Sequence, residues 1–233
     1  MNRIMAAHQP LLFPYLGYFD RMKRCDVFVI RDDTQFAKRN FHHRNRIRVP
    51  EKGSEPKLKW LTVPVNKDPV PLSQVKINHH VRTKNRTWQK DMELQISGCY
   101  AQAPHFAKFF PRISEILSEP HETLVDLNMA FLHQFCEWFE VSTTILKATE
   151  IEGFQQTGDA TQDLVLLTEL TECREYLSGD GARIYIKEEP FLSAGLTLSF
   201  QSYQHPTYRQ GDLEFAPYLC CLDALFHVGV YPA

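Results

Sequence analysis

His8 and His205 are imidazoles that could take a proton from a hydroxyl or an amine, and Asp32 and Asp33 form a carboxylate pair that could orient such a base or hold a hard cation. Consecutive residues point to opposite sides of an extended chain, so at most one of the two aspartates faces a ligand and the other caps a turn. Arg44, in FHHRNRIRV, supplies a planar guanidinium able to grip a phosphate or carboxylate through two parallel hydrogen bonds. Around these stand neutral groups suited to holding a substrate: Gln9, Tyr18, Gln35, Asn45, Ser178, Tyr208 and Gln210, with Asp32 beside them. The expected division of labour makes His8 or His205 the base and Asp33 its orienting group. Arg44, Gln35 and Gln210 hold the anionic or polar portion.

Other residue types offer less. Adjacent histidines diverge on a strand and lie about 100° apart on a helix, so His42–His43 and His79–His80 suit a single ion poorly, and both pairs are expected to be exposed. The six cysteines show no CxxC spacing, and Cys220–Cys221 could close only a strained vicinal bridge; free thiols are expected. Cys220 becomes a nucleophile only if a nearby base lowers its pKa. No metal is assigned, and the sequence specifies no cofactor.

These residues need a scaffold that gathers them. Arg3 to Ala7 is a short apolar run closed by His8-Gln9-Pro10, and Pro10 cannot donate to a sheet ladder, so a strand ends there. Tyr15, Tyr18, Phe19 and Met22 recur at helical spacing up to the basic end Arg21 to Arg24, whose cations suit a helix C-terminus. Val27 to Ile30 reads as a fully buried strand. Strand, helix and strand within about thirty residues make a βαβ unit and a parallel sheet.

Residues 34 to 80 are irregular and basic, with strand-like pieces at Trp60 to Val65 and Val75 to Ile77. Three helices come next: Trp88 to Ile96, one striped by Phe106, Phe109, Phe110, Ile113, Ile116 and Leu117, and one striped by Leu124, Leu127, Phe131, Leu132, Phe135, Trp138 and Phe139. Such stripes are what burial alone produces and are read as core. Thr143 to Ala148 is a further strand. Asp159 to Cys173 is a helix capped by Thr157 or Asp159. Tyr176 to Arg183 is a strand end running into a glycine turn, Leu196 to Phe200 a half-buried edge or antiparallel strand, and Pro217 to His227 a helix with Gly229 near its C-cap.

The fold class is therefore α/β: a doubly wound, mainly parallel, Rossmann-like sheet with a helical and irregular insertion. Residues 1–233 are read as one domain to which about 34–140 contribute the basic segment and a helical lobe. Ligands of open parallel sheets bind outside the carboxyl ends of the strands, and that rule gathers the polar residues named above.

Charge narrows the ligand. Residues 1–90 carry 19 Lys and Arg against 7 Asp and Glu, and the remainder 7 against 21. The basic stretches Lys38 to Lys59 and Lys76 to Lys90 would concentrate an anion, and a phosphate-bearing small molecule is the natural candidate. Nucleic acid is not expected at an isoelectric point of about 6.5. With no signal-type apolar segment behind a basic start and no run approaching the roughly 20 apolar residues of a membrane span, a cytoplasmic location is expected. The oligomeric state is not specified.

The blocks HQPLLFPYLGYFDRMKRCDVFVIRDDTQF, HHRNRI, WLTVPV, YLSGDGARIYI and YQHPTYRQGDLEFAPYLCCLDALFHVG resemble, in order and over nearly the whole chain, those of the WbqC-like protein family. The resemblance implies a bacterial cytoplasmic protein of O-antigen, other surface-polysaccharide or specialised-metabolite biosynthesis, with a transferase role. It carries over His8, Gln9, Tyr18, Asp32, Asp33, Gln35, Arg44, Asn45, Ser178, His205, Tyr208, Gln210 and Asp223. Cys220 stands where the pattern has a serine, which weakens a catalytic role for a hydroxyl there. A first strand, a proline-containing turn and a glycine at a helix start are also distantly similar to nucleotidyltransferases, whose paired histidines bind triphosphate; here only His8 is present, and Tyr18 replaces the second. The expected function is transfer involving a phosphate-containing substrate, such as a nucleotide-linked sugar or a carrier-linked acyl or aminoacyl group. The alternatives are a non-catalytic module binding a sugar, nucleotide or carrier protein, and a thiol enzyme using Cys220.

Overall fold

A computed structural model describes residues 2–51, 55–66 and 68–232. The strands are β1 (Ile4–His8), β2 (Val27–Ile30), β3 (Arg44–Arg48), β4 (Leu58–Thr62), β5 (Arg82–Thr83), β6 (Arg86–Thr87), β7 (Thr144–Lys147), β8 (Glu175–Ser178) and β9 (Thr197–Phe200). The helices are α1 (Leu16–Lys23), α2 (Trp88–Tyr100), α3 (Phe106–Ser118), α4 (Leu124–Trp138), α5 (Ala160–Leu170), α6 (Glu189–Ser193) and α7 (Cys221–Val228). Contacts divide the chain into two units: Met1–Pro10, Gly17–Thr34 and Val141–Gln204 form one; Leu11–Leu16, Gln35–Glu140 and His205–Ala233 form the other.

The first unit is built on a five-stranded, all-parallel sheet in the order β7-β2-β1-β8-β9. Its central strands are apolar on both sides because helices cover both faces, and β2, VFVI, is buried at every position. Met5, Ala7, Val27 and Val29 pack with Leu164, Val165 and Leu167 of α5 and with Phe191 of α6, whose ring stacks on Tyr176. On the other face Phe28 meets Tyr18 of α1, ring centroids 5.0 Å apart. Asp159 caps α5 by accepting from the Thr161 and Gln162 amides at 2.7 and 3.1 Å. The alternation around Leu198 left the direction of β9 open; β9 is the edge strand and runs parallel to β8, since α6 returns the chain across the sheet.

In the second unit β3 and β4 form an antiparallel pair from Arg44↔Thr62 to Arg48↔Leu58. Sequence reading missed β3 because RNRIR has a single apolar residue, Ile47; cross-strand pairing makes it a strand. The adjacent histidines correct another expectation. His42 and His43 are buried, 0% and 6% exposed: the β3–β4 pairing runs on to His43, whose carbonyl accepts from the Val63 amide at 2.8 Å, and the His42 carbonyl accepts from the Asn128 side-chain amide of α4 at 2.9 Å. His79 and His80 are exposed as expected. The aromatic stripes are mostly core, with Phe106, Phe110 and Trp138 half-buried; Phe131 and Phe135 of α4 lie 4.6 and 6.1 Å from the Phe13 ring. Thr123 and Asp126 close a reciprocal capping box at the start of α4, both bonds 3.1 Å. The last helix starts at Cys221 rather than near Pro217, since Tyr218 takes a positive φ of 57°, and it ends on Gly229 at φ 82°.

Among the described residues no helix is long and apolar enough to cross a membrane.

Candidate functional site

The strand order of the first unit reverses between β1 and β8, one strand leading towards β2 and β7 and the other towards β9. An open parallel sheet has its ligand crevice at such a reversal, outside the carboxyl ends. The ladders there are unequal. β1 pairs with β2 from Met5↔Val27 through His8↔Ile30, and β8 pairs with β9 through Ser178↔Phe200. Between β1 and β8, however, pairing covers only Ile4↔Glu175 and Met5↔Tyr176. The two strands run on without a shared ladder, and continuing their register would set His8 opposite Gly179.

His8 is half-buried at the end of β1, its Nδ1 2.9 Å from the Gln9 carbonyl. Donation to that oxygen places the proton on Nδ1 and the lone pair on Nε2, the tautomer a general base needs. Buried Tyr18 stands edge-on to the imidazole at 5.1 Å and donates to the same carbonyl at 3.4 Å. The Gln9 amide donates to Thr34 Oγ1 at 2.9 Å, and Thr34 donates to the Arg31 carbonyl, so Gln9 ties the end of β1 to that of β2. Ser178 is fully buried, its hydroxyl donating to the Gly179 carbonyl at 3.3 Å.

Arg21, a residue the sequence presents only as a cation suited to a helix end, reaches this edge from α1. It is 4% exposed. Its guanidinium packs so closely on Gly179 that a Cβ there would lie 2.5 Å from Nη1, so glycine is what admits it. It lies 5.9 Å from the Phe28 ring centroid, and among the described residues it has no hydrogen bond or carboxylate partner. Burial pushes the neighbouring Tyr176 hydroxyl up to about 12, and the Arg21 charge opposes that rise. A buried cation without a counter-charge is costly to fold around, and an anionic ligand would relieve it.

The two aspartates take different partners. Asp32 is buried and accepts from the Thr149 amide and hydroxyl at 3.1 and 2.6 Å. Asp33 receives Arg31 through both carboxylate oxygens at 2.8 Å, together with the Gln156 amide at 2.6 Å. Arg31 also donates to Asp163 at 2.9 Å. Burial disfavours the Arg31 charge, but its bonds to Asp33 and Asp163 outweigh this and raise its pKa. Among the described residues no group of three or more His, Cys, Asp or Glu side chains could hold a metal ion.

The remaining predicted residues belong to the second unit. Gln35 is exposed. Arg44 lies over the Trp60 ring at 4.3 Å and donates to the Arg39 carbonyl at 2.8 Å. Asn45 is buried and spends its amide on the Leu12 and Phe13 carbonyls, at 3.0 and 2.8 Å, where Phe13 holds a φ of 47°. Burial lowers the His205 pKa, and its Nε2 accepts from the Tyr218 amide at 3.3 Å. Tyr208 and Gln210 do come together with Asp223. Tyr208 and Tyr100 donate to its two carboxylate oxygens at 3.0 and 2.9 Å, and burial raises the Asp223 pKa. Gln210 holds Ala216 at 2.8 and 2.9 Å and receives Arg48 at 2.9 Å. Cys220 is 1% exposed, and burial pushes its thiol far up, the reverse of nucleophile activation.

Sequence reasoning thus missed Arg21, Arg31, Arg48, Tyr100 and His227. The one available signal was the pairing of Ser178 with Gly179 after an apolar strand, which does not disclose that a distant arginine fills the missing side chain's place.

The family model of the WbqC-like protein family matches residues 9–231. The chain is 30% identical to the uncharacterized protein Rv1507c of Mycobacterium tuberculosis, an alignment covering 97% of this chain and 94% of the relative. No solved structure matches the chain significantly.

Proposed function

We propose, for a chain that belongs to the WbqC-like protein family, that it is a transferase whose phosphate-bearing substrate binds at the parted ends of β1 and β8. The observation that carries this reading is Arg21, a guanidinium 4% exposed, without a counter-charge, packed on Gly179. A phosphate or diphosphate at that edge supplies the missing charge. His8, its proton on Nδ1, takes the proton of the attacking hydroxyl or amine on Nε2; with a nucleotide-linked sugar Arg21 stabilises the charge on the departing nucleoside phosphate, and with a carrier-linked acyl group the carrier's thiolate departs while Arg21 anchors the phosphate that stays on the carrier. Gln9 and Tyr18 fix the imidazole, while Asp33, locked to Arg31, stiffens the adjoining strand end. The donor is a nucleotide-linked sugar or a carrier-linked acyl group, and the setting is bacterial, cytoplasmic surface-polysaccharide or specialised-metabolite biosynthesis.

The test incubates purified protein with pools of nucleotide sugars and acyl carriers and tracks consumption by mass spectrometry, with His8→Ala and Arg21→Met alongside. Turnover lost in His8→Ala, with nucleotide-induced thermal stabilisation retained there and lost in Arg21→Met, supports the scheme. Stabilisation by nucleotides without turnover in any pool identifies a non-catalytic binding module instead. If neither turnover nor stabilisation occurs with wild type, the assignment fails.

A further inference from the structure

The second unit contains a cavity of about 260 Å³ whose wall includes Arg48, Cys99, Tyr100, Ala103, Gln210 and His227. Arg48 is the last residue of β3 and is 5% exposed. Its Nη1 donates to Gln210 Oε1 at 2.9 Å and to the Glu214 carbonyl. Both acceptors are neutral. Nε has no partner, and among the described residues no carboxylate pairs with Arg48. Arg48 lines the cavity with a guanidinium whose charge no carboxylate among the described residues offsets, and a small carboxylate is the planar anion that a guanidinium pairs with.

His227, at the end of α7, faces the same space. It stands edge-on to Tyr100 at 5.9 Å and makes no hydrogen bond among the described residues. Burial lowers its pKa; the Asp223 charge opposes that fall and the Arg48 charge adds to it. A neutral imidazole can donate to or accept from a hydroxyl. Behind it Asp223 is occupied by the hydroxyls of Tyr100 and Tyr208 and does not serve as Arg48's partner. The rest of the lining includes Pro50, Pro104 and Leu213, which admit a short hydrocarbon body, together with Gln102 and Asp212, the latter carboxylate already paired with Arg209 at 2.8 Å.

We infer that this cavity is a binding site for a small hydroxylated organic carboxylate, its carboxylate neutralising Arg48 and its hydroxyl meeting His227. The site rests on residues of the second unit alone and stands or falls separately from the proposal for Arg21.

Cys99 makes occupancy measurable. It lines the cavity and is half-buried, whereas the other five cysteines are buried. The full chain is treated with N-ethylmaleimide, and the rate of Cys99 modification is measured by peptide mass spectrometry in the presence of 3-hydroxybutanoate, butanoate, butanamide or inorganic phosphate. 3-Hydroxybutanoate at ten times its Kd slows labelling about ten-fold by mass action, butanoate protects at higher concentration, and butanamide does not protect. Arg48→Met loses the protection. Because Arg48 also holds the Gln210 loop, Ala103→Phe serves as a second variant that fills the cavity without touching the guanidinium, and it too loses protection. His227→Phe makes the two acids equivalent. Labelling unaffected by either acid up to tens of millimolar, protection by phosphate but not by carboxylates, or full protection in Ala103→Phe would each overturn the assignment.

Discussion

Arg31→Met tests the electrostatic frame of the sheet edge. Arg31 makes three charge-assisted bonds, two to Asp33 at 2.8 Å and one to Asp163 at 2.9 Å. The side chains are 9%, 11% and 7% exposed, so solvent screening is slight and the pair behaves as a buried one. Methionine replaces much of the stem volume but leaves two carboxylates facing the lost charge. Breaking one side of a buried pair costs about 3–5 kcal/mol, against about 0–1 for an exposed pair. Asp163→Asn is milder: Oδ1 still accepts from the Thr157 amide and hydroxyl, now at 2.7 and 2.9 Å, and the loss is that of one bond to a charged group, about 1.5–3 kcal/mol. Urea unfolding monitored by tryptophan fluorescence on the two single variants and the double variant gives the coupling. The double variant should be less destabilised than the two losses combined, by about 1–3 kcal/mol. An Arg31→Met loss below about 1 kcal/mol, or strict additivity, would refute the reasoning and mark the network as solvent-screened.

Individual contacts lead to further outcomes. Gly229→Ala must hold a φ of 82° and bring its Cβ to 2.9 Å from three His105 ring atoms, so denaturation should show a loss of about 2–4 kcal/mol, part of it regained with His105→Ala. Thr123→Ala removes half of a capping box and should lower stability by about 1 kcal/mol in the same assay. The pKa of Asp159 is lowered chiefly by the Gln162 and Thr161 amides; its stabilising effect is therefore complete above the unfolded carboxylate value of about 3.9 and is lost as pH falls through the folded value. Urea midpoints of Asp159→Asn, which keeps the cap, should lack that acid-side decline. Iodoacetamide should leave native Cys220 unmodified, because its thiol is 1% exposed and stays protonated; rapid adduct formation there would revive a thiol mechanism.

Local pattern by itself determined several of the elements. Val27 to Ile30 is a strand because four consecutive apolar, mostly β-branched residues can be buried on both faces. The stripes of α3 and α4 are core because apolar residues at helical spacing have no other stable place, and Pro10 ends β1 because it has no amide to give. The sequence also placed His8 and Gln9 at the carboxyl end of the first strand, since chain order fixes which residues a strand delivers to its end. Tertiary structure alone decided the rest. RNRIR is a strand only because β4 pairs with it, and His42–His43 are buried where Val63 and the distant Asn128 bond their carbonyls. The roles of Arg21 and Arg48 depend on Gly179 and Gln210, 158 and 162 residues further along the chain. Whether a charged side chain is solvated, paired or left buried without a counter-ion is a property of its surroundings. Those surroundings come from parts of the chain whose separation no local period records.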